Sequence, residues 1–228
     1  MKIILLEYNH FYHIYNRGIN GCNLFRDNEN YEHFLHLYDK HISPVADTFA
    51  WVLMRNHFHL LVKIKREADI PFMESIQTPE GLKDPSGSTN NLSASYRPES
   101  VSTTPRKYKP SNQFSHLFNA YTKAINKRFH RTGSLFEHPF RRIKIESNNH
   151  LKYLVYYIHH NPIHHGFCEH FLDYPWSSYL TMLSPKTTKL SRNEVLEWFN
   201  DKSNFEKYHS QEEIEKFGEL KIDSLNDC

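Results

Sequence analysis

The stretch at residues 48–64 constrains the fold more than any other part of the chain. Two runs of β-prone residues lie on either side of Arg55-Asn56, which could turn or bulge, so the runs could pair as a hairpin or form one long bent strand. The second run begins with His57-Phe-His59. Side chains alternate across a strand, so the two imidazoles should share one face, about 7 Å apart at Cα.

Two neutral imidazoles on one face of a strand can share a metal ion. The chain carries 17 histidines, however, and this pair could equally lie on the solvated face of an antiparallel strand. The pair alone favours that second explanation. A metal site needs three or more ligands, so the rest of the chain must supply a third ligand and a group for the metal to act on.

Hydrophobic periodicity predicts an α+β fold. We expect strands at 11–16, 48–54, 58–64 and 135–145, and helices that begin at Asp27 or Asn28, at Ser111 or Asn112 and at Ser147. These helices should end at Ser43-Pro44, at Gly133 and at Asn161-Pro162, with two modest helices after Gly166. The order predicts a ferredoxin-like βαββαβ antiparallel sheet with helices on one face, plus C-terminal helices.

The length of 228 residues allows one domain with additions or two small domains, and we favour the first. We expect a domain at 1–180, interrupted by a flexible insertion at 71–110 that is rich in Ser, Thr, Asn and Pro, and an acidic helical tail at 181–228. Residues 167–228 hold 7 Lys and Arg against 12 Asp and Glu, so the body is basic although the net charge is only +2. A basic body is compatible with nucleic-acid binding, and also with an ordinary solvated surface.

Cysteine usage and hydropathy bear on localisation. The three cysteines, Cys22, Cys168 and Cys228, are widely separated and form no Cys-x-x-Cys, so neither a disulfide framework nor a zinc ribbon is indicated. The apolar run at 3–6 is too short for a signal sequence, and no later run approaches the length of a membrane span. We therefore expect a cytoplasmic protein without membrane contact.

Tyr157 and Asn161 supply what the histidine pair lacks. Residues four apart project from one face of a helix, so if that face lies over the pair, the Asn161 carboxamide could be a third ligand while Tyr157 reaches a substrate. A phenol is a poor nucleophile, and a divalent cation on a phosphodiester would assist it. From spacing alone, Tyr157 is better explained as a core or rim aromatic, and Asn161 as the end of its helix.

Four motifs carry a resemblance to a known family. They are Met54-Arg-Asn-His-Phe-His-Leu-Leu-Val62, Asn126-Lys-Arg-Phe-His-Arg-Thr-Gly133, Tyr157-Ile-His-His-Asn-Pro-Ile-His-His-Gly166 and Asp173-Tyr-Pro-Trp-Ser-Ser-Tyr179. In this order they resemble the single-tyrosine HUH transposases, and within them the REP-associated tyrosine transposases. The resemblance spans roughly 11–179.

The resemblance implies a metal-dependent, sequence- or structure-specific single-stranded DNA endonuclease and strand transferase. It implies a ferredoxin-like fold that cuts and rejoins DNA through a covalent 5′-phosphotyrosine, with Mg²⁺ or Mn²⁺ as cofactor and single-stranded or hairpin DNA as partner. Tyr157 becomes the nucleophile, and His57, His59 and Asn161 become the metal ligands. The protein would then be nucleoid-associated and could act as a homodimer.

The chain also departs from the family pattern. Arg55 stands where proline is usual, His164-His165 stand where Arg-Ala is usual, and Pro139 lies where an arginine is often nearby. These departures concern DNA contacts more than catalysis. They keep open a second hypothesis, a non-cleaving DNA-binding protein derived from such a transposase, and a third, an interaction protein with surface histidines.

Basic residues of the body are the candidates for DNA binding, because they could neutralise phosphates. Phe140 or Tyr153 could stack on bases. Tyr121 is a rival nucleophile, but Ile125 stands four residues later, where a polar ligand is needed. The basic candidates are Lys123, Lys127, Arg128, Arg131, Arg141, Arg142 and Lys144.

Overall fold

The structure is a computed structural model that describes residues 5–73 and 106–210. It contains four strands, β1 (Phe11–Arg17), β2 (Ala46–Met54), β3 (His57–Ile64) and β4 (Arg141–Ile145). Three longer helices are α1 (Asn28–Ile42), α2 (Pro110–Arg128) and α3 (Asn148–His164), followed by the short α4 (Tyr179–Leu183), α5 (Arg192–Trp198) and α6 (Lys202–His209).

The strands form one antiparallel sheet in the order β2-β3-β1-β4. This is the ferredoxin-like order, so the predicted fold class is confirmed. The two runs around Arg55-Asn56 pair as a hairpin rather than as one bent strand. The hairpin turn is held from outside, because Gly18 N donates to Asn56 O at 2.8 Å and Leu24 N donates to Arg55 O at 2.8 Å.

Helices α1 and α2 cover one face of the sheet, and α3 with the C-terminal helices covers the other. The alternate β3 side chains Phe58, Leu60 and Val62 pack with α1 and α2 in one core cluster. Leu61 points the other way, into a second cluster with α3, α5 and α6. Because side chains alternate along a strand, the histidine pair of β3 faces α3, while Phe58 between them anchors the α1 and α2 side.

The helix starts agree with the sequence in part. Asp27 caps α1 as predicted, with its Oδ1 accepting from Asn30 N at 3.0 Å. For α2 the predicted caps are wrong, since the helix begins at Pro110 after Lys109. Proline suits a first helical position because no N–H is needed there. The helix also ends at Arg128 rather than continuing to Gly133.

Helix α3 runs through the predicted stop. Ser147 caps it, accepting from His150 N at 3.3 Å, but the helix continues past Pro162 to His164. The proline lies in the last turn, where its missing N–H removes a single intrahelical bond. The helix then closes with His165 N donating to Asn161 O at 2.9 Å. Asn161 is therefore helical and keeps its place one turn after Tyr157.

The fourth strand is shorter than predicted. It covers 141–145 rather than 135–145, and Leu135 and Phe136 instead enter the core cluster on the α2 side. Phe136 still forms an isolated antiparallel bridge with Gly18. The ladder is interrupted at Pro139, which has no N–H to donate, and continuous pairing with β1 covers only 141–145.

Two predicted segments lie partly outside the described residues. Of the insertion predicted at 71–110, residues 74–105 lie outside them. The described residues on either side of this gap lie together, since Met73 N donates to Arg106 O at 2.7 Å. Of the predicted tail, 211–228 lies outside them, while α5 and α6 pack into the α3 core through Val195 and Phe205. Among the described residues, no helix is both long and apolar enough to cross a membrane.

Candidate active site

His57 and His59 lie together on the face of β3 that α3 covers. Their relative exposures are 3% and 0%, and their ring centroids lie 5.3 Å apart at an interplanar angle of 88°. The predicted shared face is therefore present, but it is buried under a helix rather than solvated. This excludes the explanation that the pair decorates an exposed strand surface.

Strand β1 adds three polar side chains to the same face. His13, Tyr15 and Arg17 alternate along it, with Tyr15 opposite His59 and Arg17 opposite His57. None of the three is among the site residues predicted from the sequence. The signal was available for His13 and Tyr15, which lie two apart in the strand predicted at 11–16, whereas Arg17 was predicted to end that strand.

Tyr157 approaches this face from α3. Its ring centroid lies 5.6 Å from that of His59, at an interplanar angle of 84°, and 6.1 Å from that of His13. Asn161 lies one turn further along the helix and is 2% exposed. Its Nδ2 donates to Tyr157 O at 2.7 Å, a bond in which the carboxamide oxygen takes no part. The structure thus brings His57, His59 and Tyr157 together and holds Asn161 on the same helix.

Burial keeps both imidazoles neutral. Desolvation, aided by the nearby His165 and Arg17, lowers the pKa of His57 to about 4. Desolvation, aided by His13 and His57, lowers the pKa of His59 well below its ordinary range. Neutral imidazole is the form that binds metal ions, so neither ring must lose a proton first.

Each of these two rings has a hydrogen-bond contact at Nδ1 but none at Nε2 among the described residues. His57 Nδ1 lies 2.7 Å from Asn56 Oδ1, and His59 Nδ1 lies 3.0 Å from His13 Nε2. Both Nε2 atoms are buried, and neither has a hydrogen-bond partner among the described residues. A buried polar atom without a partner costs about 1–3 kcal/mol, so two on adjacent rings require an explanation.

Neutral imidazole nitrogens are donors that divalent cations use in proteins. Imidazole nitrogen suits Mn²⁺ and later metals, whereas Mg²⁺ prefers oxygen. Within 5–73 and 106–210, no group of three or more His, Cys, Asp or Glu side chains could hold a metal ion. A third protein ligand would therefore be of another type, and the amide of Asn161 is the predicted one.

Helix α3 is fixed to its surroundings by a second pair of buried histidines. His159 Nε2 lies 2.7 Å from Ser178 Oγ, and this hydroxyl oxygen accepts from Trp51 N of β2 at 2.9 Å. On its other side, His159 Nδ1 lies 3.0 Å from His209 Nε2 of α6. These bonds tie the helix that carries Tyr157 to both β2 and α6.

The rival nucleophile lies elsewhere. Tyr121 is buried among the α1 and α2 residues, on the other face of the sheet, and its hydroxyl donates to Leu24 O at 2.8 Å. Burial raises the pKa of this phenol, which makes it a still weaker nucleophile. Tyr153 lies nearer to the proposed nucleophile than Tyr121 does, with its ring centroid 6.3 Å from that of Tyr157.

The basic residues of α2 and the loop after it are distant from the histidine face, because α2 packs on the opposite side of the sheet. Lys123, Lys127 and Arg128 are exposed there. Arg128 pairs with Glu29 and, at 3.1 Å, with Asp27. Arg131 donates to Asn126 Oδ1 at 2.9 Å and to Ser134 O at 3.0 Å.

The three basic residues of β4 divide between the two faces. Arg142 lies 4.0 Å over the Phe140 ring and Lys144 bonds Glu7 at 2.8 Å, and both alternate with Arg141. Arg141 is paired with Tyr15, whose other neighbour is His59. By strand alternation, Arg141 is the predicted DNA-binding residue that shares the histidine face within the described strands.

Comparisons with known proteins support the fold. No protein-family model matches the chain, and no curated protein sequence matches it. Among solved structures, the chain is similar to a REP-associated tyrosine transposase bound to a REP hairpin, at 14% identity and a TM-score of 0.56. The similarity covers 81% of this chain and 86% of that one. At this identity the likeness establishes a shared fold.

Proposed function

We propose that the chain is a metal-dependent single-stranded DNA endonuclease and strand transferase of the single-tyrosine HUH type, close to the REP-associated transposases. The observation that carries this proposal is the pair of neutral imidazoles of His57 and His59. Their buried Nε2 atoms have no hydrogen-bond partner among the described residues, and the Tyr157 ring lies 5.6 Å from that of His59. The fold shared with a tyrosine transposase supports it.

In this proposal His57, His59 and Asn161 hold Mg²⁺ or Mn²⁺. When bound, the cation polarises the scissile phosphodiester and stabilises charge on its oxygens. Nitrogen donors from two histidines favour Mn²⁺ over Mg²⁺ in affinity. The rings need no deprotonation to bind it, because burial has already lowered their pKa.

Tyr157 is the proposed nucleophile. Its phenol oxygen attacks the phosphorus and the phenol proton passes to water. The bond to the 3′ oxygen breaks, that oxygen takes a proton from water and leaves as a 3′-OH, and the 5′ phosphate stays on the tyrosine. Rejoining reverses the step, with a DNA 3′-OH displacing the phenol. One phosphate ester replaces another in each direction, so no external energy source is needed.

Single-stranded or hairpin DNA is the proposed partner. Arg141 could hold a phosphate on the histidine face, while Tyr153 offers a ring next to Tyr157 for stacking. The basic residues of α2 would contact the DNA only if the DNA wraps around the edge of the sheet.

The test uses labelled hairpin oligonucleotides with single-stranded flanks, incubated with Mn²⁺ or with EDTA. Wild type with Mn²⁺ should give a covalent adduct on a denaturing gel, and Tyr157→Phe should give none. Tyr153→Phe is the matched control. It removes a hydroxyl one turn away on the same helix but keeps the ring that is proposed to stack on a base, so it should retain the adduct.

Two outcomes would change the conclusion. An undiminished adduct in Tyr157→Phe would show that another residue is the nucleophile. Hairpin binding by wild type without an adduct, across metals and oligonucleotides, would favour a DNA-binding protein that no longer cleaves.

A further inference from the structure

We propose that His13 and Asn56 are positioning residues that fix His59 and His57 as Nδ1–H tautomers, so that both rings direct an Nε2 lone pair at the metal. This inference rests on the proposed function for the metal. The hydrogen bonds that carry it are formed entirely by residues of this chain.

Asn56 determines the tautomer of His57. The amide oxygen Oδ1 lies 2.7 Å from His57 Nδ1 and can only accept, so the proton is on Nδ1. In a neutral imidazole the other nitrogen then carries the lone pair. The backbone of Asn56 is held in the hairpin turn, because its main-chain oxygen accepts from Gly18 N at 2.8 Å.

His13 acts on His59 in the same way. The 3.0 Å contact joins two ring nitrogens, His59 Nδ1 and His13 Nε2, and one must donate. If His13 donated, His59 would bury an N–H at Nε2 with no acceptor among the described residues. If His59 donates through Nδ1, its Nε2 carries a lone pair. A cation can bind that lone pair, whereas it could not bind a nitrogen that carries a proton.

The surroundings of His13 hold its ring in place. It is buried on β1, with its centroid 4.8 Å from that of Tyr15 and 5.1 Å from that of His59, both rings nearly parallel to it. Pairing of β1 with β3 fixes the strand that carries it. Tyr15 and His59 also lie 5.6 Å from each other, so the three rings pack as one buried group that restricts rotation of the His13 ring.

The two hydrogen bonds give both histidine rings the same tautomer. Each metal-facing ring donates through Nδ1 to a fixed acceptor, and each keeps Nε2 for the ion. Partners of this kind fix both the tautomer and the orientation of a ligating histidine, and their loss typically weakens metal affinity about 10- to 100-fold.

The first measurement is made on the metal-free protein. Long-range ¹H–¹⁵N correlation spectra of ¹⁵N-histidine protein in EDTA distinguish a protonated from an unprotonated ring nitrogen. Wild type should show His57 and His59 protonated at Nδ1. A wild-type His59 protonated at Nε2 would overturn the inference without any variant being needed.

The second measurement uses variants and Mn²⁺ alone, by calorimetry. His13→Phe removes the acceptor and should move His59 toward the Nε2–H form and weaken Mn²⁺ binding about 10- to 100-fold. His13→Gln supplies an amide oxygen and should restore much of both. His36→Phe, at an exposed position of α1, should leave both unchanged.

Neither measurement involves DNA, so the inference and the proposed function fail separately. Equal Mn²⁺ affinity and the same His59 tautomer in wild type and His13→Phe would overturn the positioning role while leaving the nuclease proposal standing. The expected tautomers and Mn²⁺ binding, with no DNA adduct, would support the positioning role and count against the nuclease.

Discussion

Acid should destabilise the fold in part through His209. Its Nδ1 donates to Phe205 O at 2.8 Å and its Nε2 accepts from His159, so a second proton has no acceptor. Burial lowers its pKa from the ordinary 6.5 to about 4. The unfolded chain therefore takes up a proton below about pH 6.5 that the native chain refuses, and stability is lost as the pH falls from there toward about 4.

The magnitude follows from that pKa difference. Between about pH 7 and about pH 5.5, His209 should account for a loss of about 1 kcal/mol in the free energy of unfolding. This window lies above the ordinary pKa of carboxyl groups, near 4, so Asp and Glu contribute little to it. With a urea dependence of about 2 kcal/mol per molar, the midpoint should move by about 0.5 M through this residue.

The variant His209→Gln tests this directly. The glutamine oxygen can accept from His159 Nδ1, but the side chain does not titrate. Urea unfolding in EDTA, followed by tryptophan fluorescence, should show a variant that loses about 1 kcal/mol less than wild type over the window. Other buried histidines are present in both proteins, so their effects largely cancel. His36→Gln should behave as wild type. If the free energy of unfolding fell by the same amount between about pH 7 and about pH 5.5 in all three proteins, the reasoning would be refuted.

Three further predictions concern the site and its surroundings. Since Tyr157 lies beside the histidines of its own chain, mixing Tyr157→Phe with His59→Ala should not restore the adduct; restoration would indicate action in trans between chains. Tyr121→Phe should lower stability by about 1–2 kcal/mol in urea unfolding, through its buried bond to Leu24, and leave the adduct intact. Arg141→Ala should weaken hairpin binding and reduce the salt slope by about 1 in fluorescence anisotropy titrations, whereas Lys127→Ala, behind the sheet, should change neither.

Local patterns were sufficient to predict the elements that carry the site. Strand alternation predicted the shared face of His57 and His59, and helical spacing predicted that Tyr157 and Asn161 lie one turn apart. These are short-range properties of the backbone. The error at Pro162 is also local, because a proline stops a helix in mid-course but is tolerated in a last turn.

Contacts that depend on strand register could not be predicted in this way. The bond between His13 and His59 joins residues 46 apart and requires β1 to pair with β3 in one register. The same holds for the basic residues. Arg128 looks like a free phosphate ligand in the sequence, yet it pairs with Asp27 across 101 residues.

The C-terminal helices bear on the site through α3. Residues two apart on a helix point to nearly opposite sides, so the turn that directs Tyr157 toward His59 directs His159 toward Ser178 and His209. In the proposed function the side with Tyr157 takes part in the reaction, whereas the side with His159 holds the helix in place. Loss of α6 would remove the partner of His159 Nδ1 and leave only the bond to Ser178, so the segment from 202 to 209 supports the position of Tyr157, the proposed nucleophile, as well as the core.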